Sequence, residues 1–322
     1  MPDRPSPTVA AADSPPPIDL QQLERTPLRA VDPRRRGRAF GVDYVKLDMP
    51  DGAELWITVY GWELLHNLLP GVWYHDRRYV KHGEKLAGGT GSVYRVPTVG
   101  LNGHRKDLVV KFSRFAQEVP LFIASSGHTF VPEEMVDTAR FNSPFEEFGV
   151  IKAMRKENVG PGALHIRTKR PLAIYCPPRT YPLWQLGRSR GRYRVPHQHL
   201  EHDQAKHDLP HKARLHLDRE YILLFEWVEG HDAEWFFERG LLAGWELEAL
   251  TRRVAAELRH AGYIVLDHKP KHFVLRERKD TGRLLRRHNR LVYALIDFEL
   301  LLPLPPQHHV CGLDEFDFGS GI

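Results

Sequence analysis

Residues 265–275 read VLDHKPKHFVL. Asp267, Lys269 and His272 stand here at short spacing between two apolar runs. Charged side chains buried in strand-like sequence cost free energy unless they find a partner. Their short fixed spacing therefore indicates a chemical role.

The sequence around this stretch predicts a helix before it and a strand after it. Apolar residues recur every three or four positions in 244–263, which predicts a helix that ends at Gly262. Residues 291–301, LVYALIDFELL, form an apolar run that predicts one buried strand. Asp297 lies in this second run, about one hairpin after the opening stretch.

Segments further upstream predict a sheet and one helix. Alternating apolar residues around PDG predict two strands in 43–61, and two more strands follow in 86–96 and 107–115. Residues 144–156 have helical periodicity, and the bulky apolar run 221–230 predicts a buried strand. This order predicts an α+β protein of two lobes with a cleft between them.

Composition narrows the class of protein. Of 322 residues, 42% are hydrophobic, and no apolar run of about 18 residues predicts a membrane span. The N-terminus lacks the apolar segment of a secretory signal. Cys176 and Cys311 alone cannot form a disulfide framework or a CxxC metal site, so a reducing, cytoplasmic setting is expected. The net charge of +5 favours anionic ligands or surfaces without selecting one.

The predicted organisation has three parts. Residues 1–38 are rich in Pro and then in Arg, so we expect a disordered tail. Residues 39–230 form the N-lobe, which contains a basic insert at 179–220, and residues 231–322 form a reduced C-lobe.

Three upstream features have a clear chemical use. A turn with Gly88, Gly89 and Gly91, followed by Val93, lets backbone amides approach phosphate oxygens. Lys111 lies inside the apolar strand LVVKF, where it must either reach solvent or pair with an anion.

A carboxylate on the helix 144–156 is the third feature. Glu147 shares a face with Ile151 and Met154 and should point inward, with Glu146 as the fallback.

In their order and spacing, these pieces resemble the protein-kinase-like phosphotransferases. That superfamily shares a Gly-rich loop, a strand lysine paired with a helix glutamate, a catalytic-loop aspartate and a metal-binding aspartate. The resemblance implies a two-lobed kinase-like fold, with an antiparallel-sheet N-lobe that has one helix and a reduced helical C-lobe. It implies ATP and Mg²⁺ as cofactors and the following roles: catalytic Asp267 and Lys269; nucleotide-binding Gly88, Gly89, Gly91, Val93, Lys111, Glu147, Glu226 and Val228; metal-binding Asp297 and His272.

The sequence departs from the superfamily pattern at several positions. Val265-Leu266 replaces the usual His-Arg, so no cation is present to anchor a phosphorylated activation loop. His272 stands where Asn is usual, and Glu299 replaces the Gly of DFG. A literal DFG at 317–319 is rejected as the metal site, because no apolar strand precedes it.

Few residues follow Asp297, and this argues against the large substrate-binding helices of protein kinases. The segment KHFVL at 271–275 is similar to one in the bacterial lipopolysaccharide-core heptose kinases, which are also short after the metal aspartate. This resemblance favours a small or glycolipid-type hydroxyl acceptor for the phosphate.

Two rival hypotheses stay open. The first is an atypical Ser/Thr protein kinase. Lys269 favours it, because Asp267-x-Lys269-Pro270 is the form of this motif in protein kinases. The second is an inactive nucleotide-binding pseudokinase, in which His272 and Glu299 abolish metal binding.

Two basic segments suggest an anionic partner. The insert 179–220 has nine Lys/Arg against five acids and several His, so a polar loop is expected and a zinc site is the alternative. Residues 276–290 have seven Lys/Arg against two acids, which favours an anionic acceptor. The insert could also contact a membrane or another anionic surface, whereas nucleic acid is not an expected partner, since no recognition module is present.

Overall fold

The structure is a computed structural model. It describes residues 19, 22–23, 25–86, 92–100, 103–120, 139–157, 166–207, 209 and 211–304. The first 18 residues, the three glycines of the Gly-rich turn and the DFG at 317–319 lie outside these ranges.

The protein is an α+β protein built on one large antiparallel sheet. Its strands are β1 (Arg36–Ala39), β2 (Val42–Asp48), β3 (Glu54–Thr58), β4 (Glu84–Lys85), β5 (Val93–Val99), β6 (Arg105–Phe112), β8 (Pro171–Cys176) and β9 (Ile222–Glu226). In space the order is β1-β2-β3-β8-β9-β6-β5-β4. The PDG segment makes the β2–β3 turn, and β9 is the buried strand expected in 221–230.

Short strands form the remaining sheets. They are β7 (Arg167–Thr168), β10 (His231–Asp232), β11 (Tyr263–Val265), β12 (Phe273–Leu275), β13 (Arg286–Arg287), β14 (Arg290–Leu291), β15 (Tyr293–Leu295) and β16 (Leu301–Pro303). One sheet has the order β10-β12-β15-β7, and β11 pairs with β16 and β13 with β14.

The helices are unequal in length. They are α1 (Val59–Trp62), α2 (Leu65–Leu68), α3 (Pro70–Trp73), α4 (Arg78–Lys81), α5 (Pro144–Glu157), α6 (Arg190–Gln204), α7 (Ala233–Glu238) and α8 (Gly244–His260). Helices α5 and α8 confirm the helices expected from periodicity, and α8 buries Leu250, Val254 and Leu258. In the part of the chain that the structure describes, no helix combines the length and apolarity needed to cross a bilayer.

The two faces of the large sheet pack against different cores. One face contributes Trp56, Leu223 and Phe225 to a core shared with Phe148 of α5. The opposite face is covered by the short helices between residues 59 and 81 and forms a second core. Lys111 lies directly opposite Leu223 in the sheet, so its side chain emerges on the α5 face.

Several expectations about the elements need correction. The run 291–301 is not one strand, because β15 ends at Leu295 and β16 begins at Leu301, with a buried loop between them. The part from residue 231 is not mainly helical: beyond α7 and α8, its short apolar segments pair as strands. Ordered structure also begins before the predicted boundary at 38, since β1 starts at Arg36.

The sheet half carries more helix than the single one expected. Besides α5, it includes α1–α4 and the helix α6, which lies within the basic insert 179–220. The insert is therefore not the polar loop expected. It buries Leu200 in the core, and the Gln204 amide donates to the carbonyl oxygen of Arg38 at 2.7 Å.

Gly230 joins the large sheet to the smaller one. Its φ is +125°, and a Cβ there would lie 2.0 Å from the carbonyl oxygen of Leu275. We expect Gly230→Ala to lower the free energy of unfolding by about 2–5 kcal/mol, because backbone strain and overpacking add. Gly240→Ala is the matched control: its φ is +68° and no heavy atom lies near its Cβ position, so about 1–2 kcal/mol is expected. Chemical denaturation measures both, and equal losses would contradict the close approach at Gly230.

Candidate active site

Lys111 lies at the centre of a buried ionic cluster. Its side chain is 8% exposed, and Nζ lies 3.1 Å from Oε1 of Glu147, 2.9 Å from Oδ1 of Asp297 and 3.3 Å from Oε2 of Glu299. Burial lowers the pKa of Lys111, but the three carboxylates outweigh burial and raise it well above its usual value. Lys111 is thus a fixed cation held by three acids.

The N-terminus of α5 explains why Glu147 rather than Glu146 reaches Lys111. Ser143 and Glu146 form a reciprocal cap: the Glu146 amide donates to Ser143 Oγ at 3.3 Å, and the Ser143 amide donates to Glu146 Oε2 at 2.8 Å. Glu146 also pairs with Arg140 at 2.7 Å. Its neighbour Glu147 then faces the sheet, as the periodicity predicted.

The segment before α5 fixes the loop that carries Asp297. The Asn142 side-chain amide donates to the carbonyl oxygens of Phe298 at 2.9 Å and Leu301 at 2.7 Å. The Asn142 backbone amide donates to the carbonyl oxygen of Glu299 at 2.8 Å. One residue therefore ties the helix that carries Glu147 to the Asp297 loop.

Two facing loops hold the remaining predicted groups. Strand β11 pairs with β16 at one end of these loops, and β12 pairs with β15 at the other. The first loop, 266–272, carries Asp267, and the second, 296–300, carries Asp297. Because both ends are clamped, the 266–272 loop and the Asp297 loop are held against each other.

The 266–272 loop presents an ion pair. Lys269 Nζ lies 2.8 and 2.9 Å from the two carboxylate oxygens of Asp267. His268, between Asp267 and Lys269, is buried, and its Nε2 lies 2.8 Å from the carbonyl oxygen of Thr251 on α8. This contact anchors the 266–272 loop to α8.

His272 faces the same cluster. Its Nε2 lies 3.5 Å from Oδ2 of Asp297, and its carbonyl oxygen accepts from the Ile296 amide at 3.1 Å. The imidazole therefore approaches Asp297, the other residue predicted to bind a metal.

Two members of the cluster were not predicted, Glu299 and Lys169. Lys169 is 4% exposed, with Nζ 3.5 Å from Glu147 Oε1 and 3.5 Å from the centre of the Phe225 ring. Burial lowers the pKa of Lys169 to about 8, although Glu147 favours its charged form. Acidic residues stand at positions 297 and 299, on either side of Phe298, and this spacing could have indicated that Glu299 shares the site of Asp297. No sequence signal distinguished Lys169 from a surface lysine.

The charges in the cluster do not balance. Two ammonium groups, Lys111 and Lys169, face the carboxylates of Glu147, Asp297 and Glu299. Burial opposes ionisation of Asp297, but Lys111 and then His272 and Lys169 overcome it and depress its pKa strongly. Burial raises the pKa of Glu299 to about 7, because Asp297 and Glu147 offset the attraction of Lys111. The site therefore has acidic capacity for a further cation.

The donor atoms fit Mg²⁺ in a limited way. Asp297 and Glu299 offer the oxygen ligands that Mg²⁺ prefers, whereas the imidazole of His272 suits it poorly. Among the residues that the structure describes, no group of three or more His, Cys, Asp or Glu could hold a metal ion. One or two carboxylates suffice when substrate phosphates complete the shell. The zinc alternative for the insert gains no support, since His197 pairs with Glu201 and His199 with Glu146.

The segment 226–229 lines a large cavity beside the cluster. The cavity has a volume of about 1080 Å³ and is also lined by Lys169. Glu226 and Val228, two of the predicted nucleotide-binding residues, both border it, and Glu226 is paired with Lys106 and Arg170. Val93, opposite Lys111 in the sheet, begins the strand after the Gly-rich turn. Gly88, Gly89 and Gly91 lie outside the described residues.

Comparison of the chain with models of known protein families gives no match, and neither does comparison with curated proteins.

Glu299 gives the cluster a measurable pH response. An acid whose pKa is about 7 when folded, against 4.5 ordinarily, binds more protons in the folded state than in the unfolded chain. Its contribution to folding stability is therefore complete below about pH 4.5 and is lost as the pH rises through about 7. In metal-free buffer we expect the Tm of Glu299→Gln to fall less than that of wild type between about pH 5 and pH 8.

The matched control for this pH series is Glu201→Gln, which changes a carboxylate that is 66% exposed. The control should follow the wild-type curve. Parallel curves for wild type and Glu299→Gln would show that Glu299 does not titrate in this range.

Proposed function

We propose that the protein is an ATP-dependent phosphotransferase of the kinase-like type, which transfers the γ-phosphate to a hydroxyl of a small or glycolipid-type acceptor. The observation that carries the proposal is the meeting of Lys111, Glu147 and Asp297 at hydrogen-bond distance. These residues come from a strand, a helix and a distant loop, so their convergence is a property of the tertiary fold. A buried lysine between a helix glutamate and a loop aspartate is the arrangement that phosphoryl transfer uses to hold a nucleotide.

The proposed architecture has two lobes. The large sheet with α5 would form the N-lobe, and the part after Gly230 would form the C-lobe. The short connection from β9 through 227–230 to β10 supports this division. A second short connection, residues 169–170, leads from β7 in the smaller sheet to β8 in the large sheet. The scarcity of cysteine supports a cytoplasmic location.

Each residue has a proposed task in the reaction. Lys111 neutralises phosphate oxygens, and Glu147 keeps its ammonium in place. Asp267 orients the acceptor hydroxyl and accepts its proton, while Lys269, paired with Asp267 in this structure, balances charge on the transferred group. Asp297 and Glu299 would hold Mg²⁺, which when bound supplies positive charge that stabilises the phosphates.

A phosphate-transfer assay with γ-labelled ATP and Mg²⁺ tests the proposal. Label should appear in a small or lipid-linked acceptor supplied from a cell extract, and not mainly in the protein. Label on the protein itself would favour the Ser/Thr protein kinase. Absence of transfer to any acceptor, with nucleotide bound, would contradict the proposed activity.

A second candidate function is nucleotide binding without transfer. The observation that favours it is Glu299, whose carboxylate already lies 3.3 Å from Lys111 and competes with a phosphate for it. For this candidate, ATP would raise the Tm while no label is transferred. Glu299→Gly would then strengthen nucleotide binding, because it removes the competing carboxylate.

A further inference from the structure

The cavity beside residues 226–229 has an unusual electrostatic character. Nine of its lining residues are Arg or Lys, and three are Asp or Glu. It is bounded by residues of the large sheet, of the segment 226–229 and of the smaller sheet that includes Val274 and Ala294. Its charge is opposite to that of the neighbouring Lys111 cluster, where carboxylates outnumber the ammonium groups.

All three acids of the cavity are already paired. Asp107 binds Arg95, which also stacks on the ring of Trp227. Glu226 binds Lys106 at 3.3 Å and Arg170 at 3.2 Å. The third, Glu229, binds Arg276 at 2.8 Å. The remaining cations of the cavity therefore receive no charge compensation from its own acids.

Three arginines are most clearly available to a ligand. Arg105, Arg167 and Arg287 are exposed, border the cavity and form no ion pair with a described carboxylate. They come from β6, β7 and β13, so chain segments distant in sequence deliver them to one concave surface. Like charges gathered in this way repel each other, and a bound anion removes that repulsion.

The deeper wall supplies donors that are held in place. Arg155 donates through Nη1 to the carbonyl oxygen of Thr168 at 3.1 Å and to its hydroxyl at 3.2 Å. Its Nε is buried without a hydrogen-bond partner in the described structure. Lys169, at the inner end, is held by Glu147 and Phe225. A fixed guanidinium and a fixed ammonium on the wall of a concave space match the oxygens of phosphate groups.

We infer that this cavity binds a small molecule that carries two or more phosphate groups. The concave shape and the volume of about 1080 Å³ favour a small molecule over a flat anionic surface. The inference does not rest on the proposed transfer reaction, because the cavity arginines lie outside the Lys111 cluster.

Titration calorimetry with sodium tripolyphosphate, on the full chain without nucleotide, tests the inference. Wild type should bind the probe saturably. The double variant Arg167→Gln/Arg287→Gln should bind at least about tenfold more weakly, since it loses two charged donors. The matched control, Arg194→Gln/Arg259→Gln, removes the same charge from exposed helix positions outside the cavity and should bind as wild type does.

Four results would overturn the inference. The first is that tripolyphosphate does not bind to the wild-type protein. The second is that its binding is weakened equally in both double variants. The third is that its binding is lost in Lys111→Met while Arg167→Gln/Arg287→Gln binds it normally. Circular dichroism of every variant checks that it is folded. Binding to anionic lipid vesicles without binding to tripolyphosphate would likewise reject a small-molecule site.

Discussion

Asp267→Asn should lower the rate of phosphoryl transfer by about 10²–10⁴ while nucleotide binding stays unchanged. The amide keeps the size of the carboxylate but cannot accept the proton of the acceptor hydroxyl. Stability should change little, because the lost ion pair is to Lys269, whose side chain is 32% exposed. Single-turnover assays measure the rate, and calorimetry measures nucleotide affinity.

The matched control for this loss is Asp280→Asn. Asp280 is an exposed aspartate that pairs with Arg278 in the basic segment 276–290, outside the two facing loops. The Asp280→Asn variant should transfer phosphate at the wild-type rate. A rate for Asp267→Asn within a factor of about three of wild type would remove Asp267 from the reaction, since a positioned base contributes far more than that.

Lys111→Met should have the largest effect on stability. Removing the ammonium leaves Glu147, Asp297 and Glu299 buried together, with Lys169 as the nearby cation. Breaking a buried ion pair on one side costs about 3–5 kcal/mol, because the remaining charges lose their compensation. Chemical denaturation measures this loss, and nucleotide affinity should fall with it.

Lys106→Met provides the comparison on the same strand. Lys106 is 46% exposed and pairs with Glu226, so its loss should cost only about 0–1 kcal/mol. If both lysine variants lost the same small amount, the cluster around Lys111 would not be the tightly coupled unit that its distances indicate.

The parts of the site on regular elements could be predicted from sequence. Lys111 lies in a strand and Glu147 in a helix, and the periods of these elements fix the direction of each side chain. Because Glu147 shares a face with the buried Ile151 and Met154, its inward direction followed from spacing alone.

The parts on loops could not be predicted in the same way. Glu299 reaches Lys111 because the β11–β16 and β12–β15 ladders clamp the Asp297 loop, and such long-range pairings leave no local pattern. The run 291–301 looked like one strand because it is apolar almost throughout. Phe298 and Leu300 are apolar because they are buried, although they lie in a loop. Apolar sequence there indicated burial and not extension.

The helix in the insert was missed for a compositional reason. Its sequence, RGRYRVPHQHLEHDQ, contains a Pro and many polar residues, so no clear apolar face marks it. Tertiary contacts stabilise it instead, including the Phe40 amide, which donates to Asp203 at 2.6 Å.

Binding of a non-hydrolysable ATP analogue with Mg²⁺, followed by titration calorimetry, tests the central claim most directly. The claim is that Lys111, Asp297 and their neighbours form a nucleotide site. Binding should be saturable, should require Mg²⁺, and should be lost in Lys111→Met. It should be kept in Lys152→Met, which changes a lysine on α5 that pairs with Asp43 and does not line the cavity. No binding to the wild-type protein, or equal binding to both lysine variants, would contradict it.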